Sequence, residues 1–126
     1  MKSKFVKSWK SSKQPRKQRK YQRNAPLNIK HRFLSAMLSK QLKEKYKMRN
    51  IPVRKGDTVK LLIGQFKKKT GKVVKVFLKK TKVSIEGIEL IKKDGSKVPY
   101  LVHPSNLMIT ELNLEDKKRQ KAFTKK

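Results

Sequence analysis

The chain has 126 residues, room for one small domain, and 35% of them are hydrophobic, against about 45–50% in ordinary globular domains. Lysine and arginine number 37 and the acids 8, a net charge of +29 that self-repulsion makes costly for an isolated compact fold. That balance calls for a polyanionic partner, nucleic acid first, and the absence of cysteine excludes disulfides, thiol catalysis and zinc-finger ligands.

Residues 1–23, "MKSKFVKSWKSSKQPRKQRKYQR", hold ten cations and no acid; the first acid in the chain is Glu44. No helical or strand period organises them, so they read as an extended tail, disordered when free and ordered on RNA. Its cations Lys10, Lys13, Arg16, Lys17, Arg19, Lys20 and Arg23 suit phosphates. Its aromatic residues Phe5, Trp9 and Tyr21 are interleaved with them, and Trp9 and Tyr21 are candidates for stacking on bases.

From Pro26 the pattern changes. Leu27, Phe33, Leu34, Met37 and Leu38 fall near helical spacing in "APLNIKHRFLSAML", and Ser39 can cap a following turn that carries Leu42 and Tyr46. The expectation is two short helices, or one broken helix, packing an apolar face on the domain. Lys30, Arg32, Lys40 and Lys43 would then point outward, and Lys30, His31, Arg32 and Arg49 are candidates for RNA contact.

Strand chemistry begins near Val53. The runs "TVKLLI" (58–63), "GKVVKVFL" (71–78), "KVSIEGI" (82–88), "IELI" (88–91), "VPYLV" (98–102) and "NLMITEL" (106–112) are short, rich in β-formers and bounded by turns. The Asp-Gly of "KKDGSK" is a strong hairpin signal. The expected product is a small barrel over residues 50–112 with Val59, Leu61, Val73, Val76, Val83, Ile85 and Ile109 in its core. Val73 and Val76 are three apart, which requires a bulge between them. Asn113 is the expected cap of a short C-terminal helix, with Glu115 and Asp116 in its first turn.

"GQFKKKTGKVVKV" (64–76) carries the sharpest functional signal. Gly64 and Gly71 bracket Lys67, Lys68 and Lys69, and Thr70 adds a hydroxyl. Both glycines are free to take positive φ. A solvated turn needs only one or two polar residues, and three adjacent ammonium groups are costly unless phosphates lie opposite. Arg54, Lys55 and Lys72 flank this segment, and Gly56 precedes Asp57 in a turn where the carboxylate would bond nearby backbone. Catalysis finds little support. His31 and His103 stand alone, His103 in a local "HPSN" turn, no carboxylates pair at motif spacing, and "GQFKKKTG" lacks the ending of a Walker loop.

Residues 53–87, "VRKGDTVKLLIGQFKKKTGKVVKVFLKKTKVSIEG", resemble the KOW motif of the universal large-subunit ribosomal protein twenty-four family, called twenty-six in eukaryotes. "PRKQRK" with "NAPLNIKHRFLSAMLSKQLKEKY" resembles the N-terminal extension of its archaeal and eukaryotic branch, and "VHPSNLMITELNLEDKKR" its C-terminal segment. The resemblance implies a mostly β fold: an SH3-like KOW barrel (50–112), a basic RNA-binding tail (1–25), a short helical extension (26–49) and a C-terminal helix with a basic end (113–126). It implies a cytoplasmic ribosomal protein that binds large-subunit ribosomal RNA early in assembly and lies near the peptide exit tunnel. The partners would be that RNA and neighbouring large-subunit proteins, the chain a monomer within the ribosome, with no membrane, cofactor or metal. "RKGD" (54–57) would enter the first barrel strand, Gly71 would be the signature glycine, and Lys67–Lys69 would face RNA. Many members have glycine where this chain has Lys68, so its loop is expected to be stiffer and more cationic. A free-standing KOW factor of transcription is the alternative; such factors usually carry a second globular domain, for which residues 1–52 have no room.

Overall fold

A computed structural model describes residues 5–6 and 11–124, with the side chain of Thr124 left aside. Three helices and two strands come first: α1 (Pro15–Asn24), α2 (Leu27–Phe33), β1 (Ser35–Leu38), α3 (Lys40–Tyr46) and β2 (Asn50–Pro52). Then follow β3 (Thr58–Leu61), β4 (Thr70–Phe77), β5 (Lys82–Ile91), β6 (Lys97–Val102), a 3₁₀ turn at Pro104–Asn106, β7 (Leu107–Glu111) and α4 (Lys117–Thr124). One seven-stranded sheet runs β2-β1-β7-β3-β4-β5-β6, and its open, curved form is that of a small SH3-like β fold.

The interior is one cluster of side chains contributed by that sheet and the segment before it. Val59, Leu61, Val73, Val83, Ile85 and Ile109 are buried as expected, joined by Leu34, Ala36, Leu38, Ile88, Val102 and Leu107. The expected bulge is present, as a register shift between Val73 and Lys75. Val76 is only half buried and packs on the outside of the core cluster. "KVSIEGI" and "IELI" form one strand rather than two. Its pairing with β6 shifts between Ser84 and Glu89, where Gly87 takes φ +73° and lets the strand turn a corner without ending. The Asp-Gly turn is as expected: Gly95 has φ +83°, and Asp94 accepts from the Ser96 amide at 3.0 Å and hydroxyl at 2.7 Å.

Three expectations need correction. The extended tail ends before Pro15, because residues 15–24 are helical. Pro15 stands at the start of α1 with its φ already set, and the Arg, Lys and Gln that follow are good helix formers. The helical reading of residues 26–38 stops at Phe33. Ser35–Leu38 is a strand, paired parallel with β7 and antiparallel with β2. Leu34, Ala36 and Leu38 are all buried, at 0%, 1% and 0% exposure, so a period of two outcompetes the helical spacing that shares two of those residues. Leu27, counted on the helical face, is 52% exposed and packs on nothing in the core. Finally, the C-terminal helix starts four residues beyond Asn113. Asn113 shapes the preceding turn by accepting from the Glu115 amide at 3.0 Å, and the carboxylate of Asp116 caps the helix by accepting from the Lys118 amide at 2.8 Å. Ser39 caps α3 as expected, accepting from Leu42 at 3.4 Å.

Candidate nucleic-acid interface

The barrel has two chemically different ends. At the first, the β2–β3 turn carries "RKGD". Gly56 takes φ +89°, and a methyl group there would meet the Asn113 amide at 2.5 Å. That turn delivers Asp57 into the interior, where it is fully buried. Its Oδ2 accepts from the Arg54 amide at 2.9 Å, as the sequence suggested, and its Oδ1 from the Asn113 amide at 2.9 Å. Its main partner carries no mark in the sequence. Arg119 of α4, 62 positions away and 5% exposed, donates to both carboxylate oxygens at 2.6 and 2.8 Å, and also to the carbonyls of Asn113 and Pro52. Burying two charges is expensive unless geometry and further hydrogen bonds compensate, and here nearly every lone pair and proton finds a partner. This bidentate pair fastens α4 to the barrel. Phe123 reinforces it against Tyr46, with ring centroids 4.8 Å apart, and Arg54 pairs with Asp116 at the surface. The Arg54 guanidinium and then the Lys118 amide hold the Asp116 carboxyl below its ordinary value.

At the other end, the loop between β3 and β4 carries the three lysines. It is tightly closed: the Lys67 amide donates to Gly64 O at 3.0 Å, the Lys68 amide to Leu61 O at 2.9 Å, and the Lys69 amide to Phe66 O at 3.1 Å. Lys67, Lys68, Lys69 and Thr70 are all exposed. Phe66 anchors the loop from below, packing on the core cluster and on Tyr100 at 5.4 Å, while the Lys69 ammonium sits 5.2 Å from its ring centroid. Gly64 takes φ +94°, as expected, but Gly71 does not have positive φ. Glycine is required there for space instead. A Cβ at Gly71 would lie 2.6 Å from the backbone oxygen of Glu86 and 2.8 Å from Ile85, so β4 and β5 approach closely at that point. Lys68 adopts φ +71° without being glycine. The position where many members of the resembled family carry glycine is thus one that favours glycine.

The remaining candidates form a broader basic surface. Lys13 is exposed, and Arg16, Lys17, Arg19, Lys20 and Arg23 lie along α1, all of them exposed. The Lys30 ammonium donates to the Arg23 carbonyl at 3.1 Å and ties α2 to α1. Arg32, Arg49, Lys55 and Lys72 are exposed. His31 lines a cleft with Arg54 and Lys55 at the first end of the barrel. Tyr21 lies between Phe5 and Phe33, at centroid distances of 4.9 and 6.1 Å, so one stacking candidate already has protein rings beside it. Trp9 and Lys10 lie outside the described residues. His103 bonds locally, its Nδ1 2.8 Å from the Ser105 hydroxyl. Among the described residues two ion pairs form, Arg54–Asp116 and Arg119–Asp57; the lysine loop takes part in neither. No group of three acids or histidines among them could hold a metal ion, and no helix is long and apolar enough to cross a membrane.

Comparison with known proteins agrees over nearly the whole chain. Residues 12–126 match the family of ribosomal proteins L26 of eukaryotes and L24 of archaea. The large ribosomal subunit protein uL24 of Methanothrix thermoacetophila is 47% identical over 114 residues, which cover 90% of this chain and 98% of that protein.

Proposed function

The chain belongs to the L26/L24 family of ribosomal proteins, and from that membership we propose that it binds large-subunit ribosomal RNA directly, through the lysine loop, the basic helices and the exposed cations around the barrel. It is a ribosomal protein of the large subunit, and its role there is structural. The finer reading is that it joins the RNA early in assembly, sits near the mouth of the peptide exit tunnel beside other large-subunit proteins, and works in the cytoplasm as one copy per ribosome. The observation that carries RNA binding is the lysine tip. Three exposed ammonium groups are held on a loop closed by its own backbone and anchored by Phe66, with no carboxylate paired to them among the described residues. Such a tip positions phosphates without reading sequence. Tyr21 and Trp9 remain the candidates for contact with unpaired bases.

Sedimentation of a cell lysate through sucrose, followed by detection of the protein, tests the assignment. The protein should travel with the large subunit and with its early precursors. Its absence from both, or its appearance only in late particles, would refute the placement or the timing respectively.

A further inference from the structure

We propose that the cleft at the Arg54 end of the barrel seats one unstacked nucleotide of RNA, with the base against an apolar wall and the phosphate on a cationic rim. This rests on the reading above that the chain binds RNA. The cleft measures about 770 Å³, within the range of roughly 300–1,000 Å³ common for small-ligand sites. Its wall is made by Val53, Val74, Val76 and Leu78. A regular strand would send Val74, Lys75 and Val76 to alternate faces, yet all three line the cleft. The bulge between Val73 and Lys75 breaks that alternation and gathers them on one side. Val74 is left 50% exposed, an apolar surface that the core does not use.

The rim supplies His31, Lys55 and Lys75, and none of these forms an ion pair among the described residues. The acids at the cleft are engaged: Asp116 with Arg54 and the Lys118 amide, Glu115 with the side-chain amide of Asn113 at 3.2 Å. A phosphate therefore has its place on the side of His31, Lys55 and Lys75. Arg119 also lines the cleft, and its Nε is buried with no hydrogen-bond partner although its other two nitrogens are fully used. That nitrogen is shielded from the cleft, so recognition falls to the apolar wall and the cationic rim. A bare run of backbone would leave the apolar wall unused, whereas the face of a base covers it.

Methyl and amide NMR of the full-length protein tests this with two ligands, adenosine 5′-monophosphate and ribose 5-phosphate. The nucleotide should shift the methyl signals of Val53, Val74 and Val76. Ribose 5-phosphate should move only signals of the rim. Val74→Ser, a change at a half-exposed strand position, should weaken the nucleotide about fivefold by removing apolar contact, and leave ribose 5-phosphate unaffected. Identical shifts from both ligands, or an unchanged nucleotide affinity in Val74→Ser, would overturn the proposal and leave a groove between helix and barrel. A parallel titration with a large-subunit RNA fragment separates the two failures. If the fragment still binds, only the cleft assignment falls; if it does not bind, the functional reading falls with it.

Discussion

The two ends of the barrel use charge in opposite ways. At the Arg54 end, Asp57 and Arg119 are buried and bonded to each other and to backbone, with only the Arg119 Nε left without a partner, and their charges hold the C-terminal helix in place. At the lysine end, Lys67, Lys68 and Lys69 are exposed and paired with no acid among the described residues, on a loop held by its backbone and Phe66. Charge that is consumed inside the fold supports structure; charge that the fold presents and leaves unpaired is available to a partner. Both uses occur in one chain of net charge +29, so the total alone does not distinguish them.

The sharpest way to break the structural end is Asp57→Ala. It leaves the Arg119 guanidinium buried without its carboxylate, which should cost about 3–5 kcal/mol. A domain of this size has only about 5–15 kcal/mol in total, so urea unfolding should show a marginal or unfolded protein. Replacing both partners with apolar residues, as in Asp57→Leu with Arg119→Met, should recover much of the stability. If Asp57→Ala unfolds at the wild-type midpoint, the pair does not fasten the helix.

Gly71→Ala comes next. The added methyl meets strand backbone and Ile85, neither of which can swing away, and the expected destabilisation is about 1–3 kcal/mol in the same assay. The corresponding change at Gly64, where a methyl meets nothing within 4 Å, is limited to the strain of its positive φ.

These contrasts also mark what was legible in the sequence. The strands from 58 to 111, the Val73 bulge, the hairpin turn and the lysine loop followed from local pattern, because β-forming runs between turn residues specify their own conformation. Ser35–Leu38 did not, because Leu34, Ala36 and Leu38 satisfy a strand while Leu34 and Leu38 also satisfy a helix. The strand partners on either side, β2 and β7, decide between them. The partner of Asp57 lay 62 positions away, and a single arginine among many cations carries no mark of burial. Gly71 was recognisable as important, but a glycine needed for space and one needed for positive φ look alike until the neighbouring strand is in place.

Lys68→Gly sharpens the comparison at the other end. Lys68 holds φ +71°, a conformation that costs a residue with Cβ about 1–2 kcal/mol. After the greater flexibility of glycine in the unfolded chain is allowed for, the variant should gain about 0.5–1 kcal/mol. It should also bind RNA slightly less well, having one charge fewer. A destabilised variant would mean that the lysine side chain supports the loop.

The smallest effect concerns pH. Arg54 holds the Asp116 carboxyl below the ordinary aspartate value of 3.8, so the carboxylate stabilises the fold above that value. That contribution fades as pH falls through the lower value of the folded state. Urea midpoints of the wild type and Asp116→Asn should therefore differ near neutrality and converge in acid. A gap that persists to the lowest pH would contradict the pairing.

Whether the lysine end is built for a phosphate backbone is tested most directly by titrating a large-subunit RNA fragment at several salt concentrations with the wild type and with Lys67, Lys68 and Lys69 all changed to Ala. The variant should unfold within about 1 kcal/mol of the wild type, since the three side chains are exposed and only the Lys69 ammonium touches packing, beside the Phe66 ring. RNA affinity should fall at low salt, and the slope of log affinity against log salt should flatten by about 0.7–0.9 for each phosphate that is no longer neutralised. Residual binding should persist through Arg54, Lys55 and the basic helices. An unchanged slope and affinity in a folded triple variant would show that the three lysines are a solvated turn and that RNA is held elsewhere.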